Sequence, residues 1–130
     1  MALRCLIVDD SSRFLEAARA LLEREGIAVV AVAATSAEAL RRAEELKPDV
    51  ALLDVDLGDE SGFDLAWRLE SGTSLEPSRV ILISTYAEED FADLITVTPA
   101  AGFLSKSDLS ARAIRDLLGN SSDGADPRMS

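Results

Sequence analysis

Apolar residues in this chain fall in short runs that end on polar ones. Val50-Ala51-Leu52-Leu53 leads directly into Asp54. The run is too short for a helix and apolar on both faces, the pattern of a central parallel strand. Leu3-Arg4-Cys5-Leu6-Ile7-Val8 leads in the same way into Asp9-Asp10, and with Ala2 it predicts a first strand over 2–8. Ile27 to Val32 is β-branched and predicts a second strand. Arg79 to Ser84 predicts a fourth, and Gly102 to Ser105 a brief fifth that ends beside Lys106.

Helical spacing fills the intervals. Ser11 or Ser12 can cap a helix carrying Phe14, Ala18, Leu21 and Leu22, with Gly26 as its C′ residue. Thr35-Ser36-Ala37-Glu38 has capping-box spacing with Thr35 at the cap. Leu40, Ala43 and Leu46 continue that helix's buried face until Pro48 stops it. Leu57 to Gly62 is a loop by composition. A third helix runs from Phe63 to about Glu70 with Phe63, Ala66, Trp67 and Leu69 inward, Trp67 as a packing residue. Gly72 to Pro77 is another loop. A weaker helix spans Glu88 to about Val97, with Phe91, Leu94 and Ile95 inward, and Pro99 breaks it. The last helix spans Leu109 to Leu118, with Ile114 and Leu117 inward and Gly119 as its end. Residues 120–130 are almost devoid of apolar side chains and read as a disordered polar tail or the start of a linker. Residues 1–119 therefore form one domain.

Five strands alternating with five helices, (βα)5, imply right-handed crossovers. The result is an α/β fold: a doubly wound, five-stranded parallel sheet covered on both faces. In such sheets, sites form at the carboxyl ends of the strands, where the winding direction reverses. The polar residues at those ends are Asp9, Asp10, Asp54, Ser84 and Lys106; the second strand offers only Ala33 and Ala34. Clustered carboxylates repel and require a cation. Oxygen donors without imidazole or thiolate suit Mg²⁺. A carboxylate can act as nucleophile toward phosphorus, and phosphoryl transfer asks mainly for positioning and charge neutralisation. Asp54 as acceptor, Lys106 as cation and the Ser84 hydroxyl as hydrogen-bond donor make a complete set for phosphorylation from an outside donor.

Composition narrows the classes further. The chain has 130 residues, a net charge of −11 and no histidine. The missing histidine excludes a Ser-His-Asp triad, a Cys-His pair and a histidine phosphocarrier within the chain, so the phosphoryl donor belongs to another molecule. The acidic balance argues against direct nucleic-acid binding. There is no apolar run of membrane-spanning length and no signal-peptide pattern, which points to a cytoplasmic protein. Cys5 is the single cysteine and reads as a small core residue.

Leu6-Ile7-Val8-Asp9-Asp10, Leu52-Leu53-Asp54, Ile83-Ser84 and Phe103-Leu104-Ser105-Lys106 together resemble the receiver domain of bacterial two-component response regulators, over residues 3–118. The resemblance implies a flavodoxin-like strand order 2-1-3-4-5. It implies that Asp54 accepts phosphate from a phosphohistidine on a partner histidine kinase or phosphotransfer protein. Mg²⁺ would be bound directly by Asp10 and Asp54, mainly through water by Asp9, and by the backbone carbonyl of Asp56. Lys106 would pair with the phosphoryl group, Ser84 would move toward it, and Phe103 would swing into the space left behind. The face around residues 88–118 would carry the signal to an output protein or a downstream output domain. The resemblance also allows a phosphorylation-dependent homodimer. Such a protein is a signalling switch and not an enzyme beyond its own phosphorylation and dephosphorylation.

Four positions depart from the family pattern. Ser107 replaces a common proline; a cis Lys106–Ser107 bond would cost ~3 kcal/mol, which leaves that geometry to the structure. Thr85 is bulkier than the usual residue after Ser84. Asp56 adds a carboxylate two residues after the acceptor, either as a further ligand or as a source of repulsion. Phe103 lacks a hydroxyl, so its switching would act by packing alone. Two other functions compete. Asp54-Val55-Asp56 resembles the Asp-x-Asp of haloacid-dehalogenase-type phosphatases, but Asp9-Asp10 would then have no role. The other is a receiver-like binding module that is not phosphorylated.

Overall fold

Strand Leu3–Val8 (β1) pairs in parallel with Ile27–Ala33 (β2) on one side and Val50–Asp54 (β3) on the other. This arrangement comes from a computed structural model that describes residues 2–122. Two further parallel strands, Val80–Ser84 (β6) and Gly102–Ser105 (β7), complete the sheet in the order β2-β1-β3-β6-β7. Apart from a small hairpin between β3 and β6, this is the expected order 2-1-3-4-5. The hairpin, Asp56–Leu57 (β4) with Glu60–Ser61 (β5), replaces the expected loop. Gly58 turns it at φ +78°, a conformation that other residues adopt at a cost.

Helices Ser12–Arg24 (α1), Ser36–Leu46 (α2), Gly62–Gly72 (α3), Ala92–Val97 (α4) and Ala111–Ser122 (α5) cover the sheet. Each central strand is buried on both faces, which is why its sequence reads as a continuous apolar run. The sheet divides the core in two. One half holds Leu6, Val8, Leu53, Leu65, Leu69 and Leu82; the other holds Ile7, Leu22, Leu52, Ile81 and Ile114. Cys5 is fully buried, and burial pushes its thiol up to about 12, so it stays protonated and inert.

The caps follow the expected chemistry. Ser11 Oγ accepts from Phe14 N–H, and Thr35 Oγ1 accepts from Glu38 N–H. The return arm of the capping box lands one residue early: Glu38 Oε1 accepts from Ala34 N–H at 3.0 Å. Gly26 takes φ +93° just beyond α1.

Two inward positions and one helix end differ from expectation. Trp67 is 49% exposed, and Leu65, not Trp67, completes the buried face of α3 with Phe63, Ala66 and Leu69. Trp67 lies a full helical step of about 100° past Ala66, toward solvent. Leu94 is exposed because a 3₁₀ turn over Glu88–Phe91 precedes α4 and shifts the phase of its faces. Ile114 and Leu117 face inward as expected, Leu117 half-buried against the core, and Leu118 is buried with them. Gly119 does not end α5, which continues to Ser122 with Gly119 outside the left-handed region. The expected tail over 123–130 lies outside the described residues. Among the described residues no helix is long and apolar enough to cross a membrane.

Candidate phosphoacceptor and metal site

Strand register assembles the site. Val8 pairs with Leu53, so Asp9 follows directly beside Asp54. Asp54 pairs with Ile83, and Ser84 pairs with Ser105, which places Ser84 one residue and Lys106 two residues farther along the same strand ends. The five residues singled out from the strand ends therefore lie along one sheet edge, at the β1–β3 reversal of winding.

Asp9 is fully buried, Asp54 is 6% exposed and Asp10 is exposed. Carboxylate oxygens of these three lie within 4.8 Å of one another. Lys106 Nζ sits between two of them, 2.6 Å from Asp9 Oδ2 and 3.2 Å from Asp54 Oδ2. The second contact is a hydrogen bond. The first is a close ion pair, and Lys106 is the one cation against the buried Asp9 Oδ2 among the described residues. Asp9 Oδ1 accepts from Ser11 N–H at 2.8 Å, and Asp54 Oδ1 accepts from Asp56 N–H at 3.2 Å.

Burial raises the Asp54 carboxyl to about 6, and the Asp9 charge adds to the rise; the Asp56 N–H and Lys106 oppose it. For Lys106 the largest single influence, burial, acts downward. The combined pull of Asp9 and Asp54 exceeds it, and the ammonium is held above its ordinary value. A single lysine thus only partly compensates the carboxylates. Hard oxygen donors from a cluster of three acids, with one lysine between them, fit a small divalent cation.

The surroundings constrain the site closely. A Cβ on Gly62 would lie 2.1 Å from the Asp54 carbonyl oxygen, so the first residue of α3 must be glycine for the helix to pass this close to β3. A Cβ on Gly58 would come within 3.3 Å of Asp10 Oδ2. The Asp56 carboxylate is not among the three clustered acids; its Oδ1 accepts from Gly58 N–H at 3.1 Å, within its own turn. Ser84 is buried, and its Oγ accepts from Tyr86 N–H at 2.9 Å, which leaves the hydroxyl proton to donate. Thr85 is exposed beside it. Phe103 is buried against Phe91, with ring centroids 6.3 Å apart; Phe91 in turn meets Phe63 and Tyr86. The Lys106–Ser107 peptide is trans, and the Ser107 hydroxyl bonds that of Ser105 at 3.0 Å.

Sequence reasoning missed Gly62 as a site residue, although its place at the head of an apolar helix was a signal. It also read Phe14 only as a core residue. The Phe14 ring lies under Lys106 Nζ, 4.3 Å from centroid to nitrogen. A hollow of about 620 Å³ lies elsewhere, lined by Glu25, Arg112, Arg115 and Asp116. It includes none of the clustered acids.

The response regulator receiver domain family matches residues 5–118, nearly all of the described chain. The chain belongs to this family. This receiver is 31% identical over 105 residues to the response regulator GacA of Pseudomonas viridiflava, covering 80% of the chain and 48% of that protein. It is 31% identical over 108 residues to a protein-glutamate methylesterase/protein-glutamine glutaminase of Archaeoglobus fulgidus, covering 82% of the chain and 30% of that protein. The receiver thus spans about half or less of these curated relatives. Among solved structures, a CheY-like receiver domain from Methanospirillum hungatei superposes with a TM-score of 0.76 at 27% identity, over 95% of this chain and 98% of the other. A LuxR-family two-component response regulator from Aurantimonas gives 0.79 at 26% identity, over 92% and 87%. The chain is therefore a signalling receiver domain of the two-component type, with the doubly wound fold of that family.

Proposed function

We propose that this receiver domain is a phosphorylatable switch. Asp54 takes a phosphoryl group from a phosphohistidine on a partner kinase or phosphotransfer protein, in a Mg²⁺-dependent reaction in the cytoplasm. One observation supports the reading above all: a cluster of two buried carboxylates and one exposed one at the carboxyl ends of the strands, whose only close cation, among the described residues, is Lys106.

Asp10 and Asp54 would hold Mg²⁺ directly, Asp9 mainly through water, and the Asp56 carbonyl would complete the protein ligands. When bound, the ion supplies positive charge against the phosphoryl oxygens. An Asp54 carboxylate oxygen attacks phosphorus, the donor's P–N bond breaks, and the imidazole nitrogen keeps the electron pair. Lys106 transfers part of its pairing from the carboxylates to a phosphoryl oxygen. Ser84 donates its hydroxyl proton to another. Drawing Ser84 toward the phosphoryl group alters the space beside β6, and Phe103 repacks with Phe91. The domain then has two packings, and phosphate favours one. Thr85 and Asp56 flank the acceptor and tune how long the phosphoryl group survives.

The readout passes through the face around residues 88–118 to an output protein, a downstream domain or a second copy of the chain. A net charge of −11 makes direct nucleic-acid binding by this segment unfavourable. The test is incubation with acetyl phosphate and Mg²⁺, followed by intact-mass measurement. The reading expects one phosphoryl group per chain, lost on chelation of Mg²⁺ during the reaction and absent in Asp54→Asn. An unmodified wild-type chain would count against it.

A further inference from the structure

We propose that Phe14 is a positioning residue for this chemistry: its ring face holds the Lys106 ammonium over the acid cluster. The proposal rests on the phosphoacceptor reading above. The ammonium lies 4.3 Å from the ring centroid, inside the ~6 Å reach of a cation–π contact. Its other neighbours are Asp9 Oδ2 and Asp54 Oδ2. The Lys106 side chain is 14% exposed, and cation–π attraction is greatest where water is excluded.

Lysine carries a point charge on a flexible four-carbon stem, so its carboxylate partners fix its direction only while they remain available. On phosphorylation, Asp54 becomes an acyl phosphate and loses its charge at the contacting oxygen. The ring does not change. It keeps the ammonium at the sheet edge while the ammonium's partner switches from carboxylate to phosphoryl oxygen.

The backbone that carries the ring is tied to the acid cluster. Phe14 N–H donates to Ser11 Oγ at 3.2 Å, and Ser11 N–H donates to Asp9 Oδ1 at 2.8 Å. The contacts close a circuit: Asp9 to Ser11, Ser11 to Phe14, Phe14 to Lys106, and Lys106 back to Asp9. Phe14 is half-buried against the core half that contains Leu15 and Leu109. An aliphatic side chain could also pack there, so the cation–π contact is what calls for an aromatic ring.

The chain has two lysines, Lys47 and Lys106, which makes the test direct. Site-specific incorporation of a ring-trifluorinated phenylalanine at position 14 keeps shape and weakens the π face. Phosphorylation by acetyl phosphate should slow by about 3- to 10-fold in this variant and in Phe14→Leu, and stay within about twofold of wild type in Phe14→Tyr. In the metal-free protein, acylation of Lys106 relative to Lys47 should rise in the fluorinated and Leu variants and not in Phe14→Tyr. The proposal is overturned if the fluorinated variant matches wild type in both measurements, or if only Phe14→Leu is affected, which would reduce Phe14 to packing. If wild type takes no phosphoryl group on Asp54, the phosphoacceptor reading fails; the acylation ratio still decides whether the ring holds the ammonium.

Discussion

Asp54 carries conflicting demands. Burial makes its charge unfavourable, yet the proposed attack on phosphorus needs that charge. Its folded pKa of about 6 lies above the ordinary 3.8, so the folded state holds this proton more tightly than the unfolded chain. The resulting stability is fully present below about pH 3.8 and is lost as pH rises through about 6. In metal-free protein, wild type should therefore lose roughly 1 kcal/mol relative to Asp54→Asn between pH 5 and pH 7. Urea denaturation of both proteins at the two pH values checks this. Parallel pH dependence in wild type and variant would remove the strain assigned to Asp54. Lys106 offers a complementary case. Lys106→Ala should leave Mg²⁺ binding largely intact, because no metal ligand is removed, while abolishing the conformational response to beryllofluoride. A normal response in that variant, followed by NMR, would contradict its assigned role. Asp9, Asp10, Asp54, Ser84 and Lys106 were readable as a group because each follows an apolar run. Phe14 was not, because a phenylalanine at helical spacing looks the same whether its ring packs on leucine or beneath an ammonium.

The five sheet strands and five helices were legible because buried parallel strands write continuous apolar runs and capping residues write polar ones. What escaped were features set by local geometry. The hairpin of β4 and β5 is two residues per strand, too short to leave an alternating pattern. The exposed faces of α3 and α4 depend on helical phase, which one misjudged step or one 3₁₀ turn displaces. Trp67→Ala should accordingly change stability by less than about 0.5 kcal/mol, as a surface substitution does. A loss of several kcal/mol on thermal or chemical denaturation would restore Trp67 to the core. Gly62 is the opposite case. Its Cβ would collide with backbone at the acceptor residue itself, and backbone cannot rotate away as a side chain can. Gly62→Ala should cost about 3 kcal/mol by overpacking and slow phosphorylation together with it. A variant of wild-type stability would mean that α3 can stand farther from β3 than this structure places it.

At the scale of the molecule, the fold serves to bring strand ends together. Residues 9, 54, 84 and 106 span most of the chain, and only the register β1–β3–β6–β7 makes them neighbours. Strand order was inherited from a family resemblance, since alternating βα units fix parallel pairing but not which strand lies beside which. The relatives that carry this domain are about two to three times longer than the matched segment and include a regulator and a methylesterase. The receiver domain is thus the part this chain shares with both relatives. The most direct measurement is to phosphorylate the domain with acetyl phosphate and Mg²⁺, reduce the acyl phosphate with borohydride, and map the product by peptide mass spectrometry. The account predicts homoserine at position 54 and at no other aspartate. Reduction at Asp9, Asp10 or Asp56, or steady release of phosphate from a simple phosphate monoester with no trapped adduct, would contradict it.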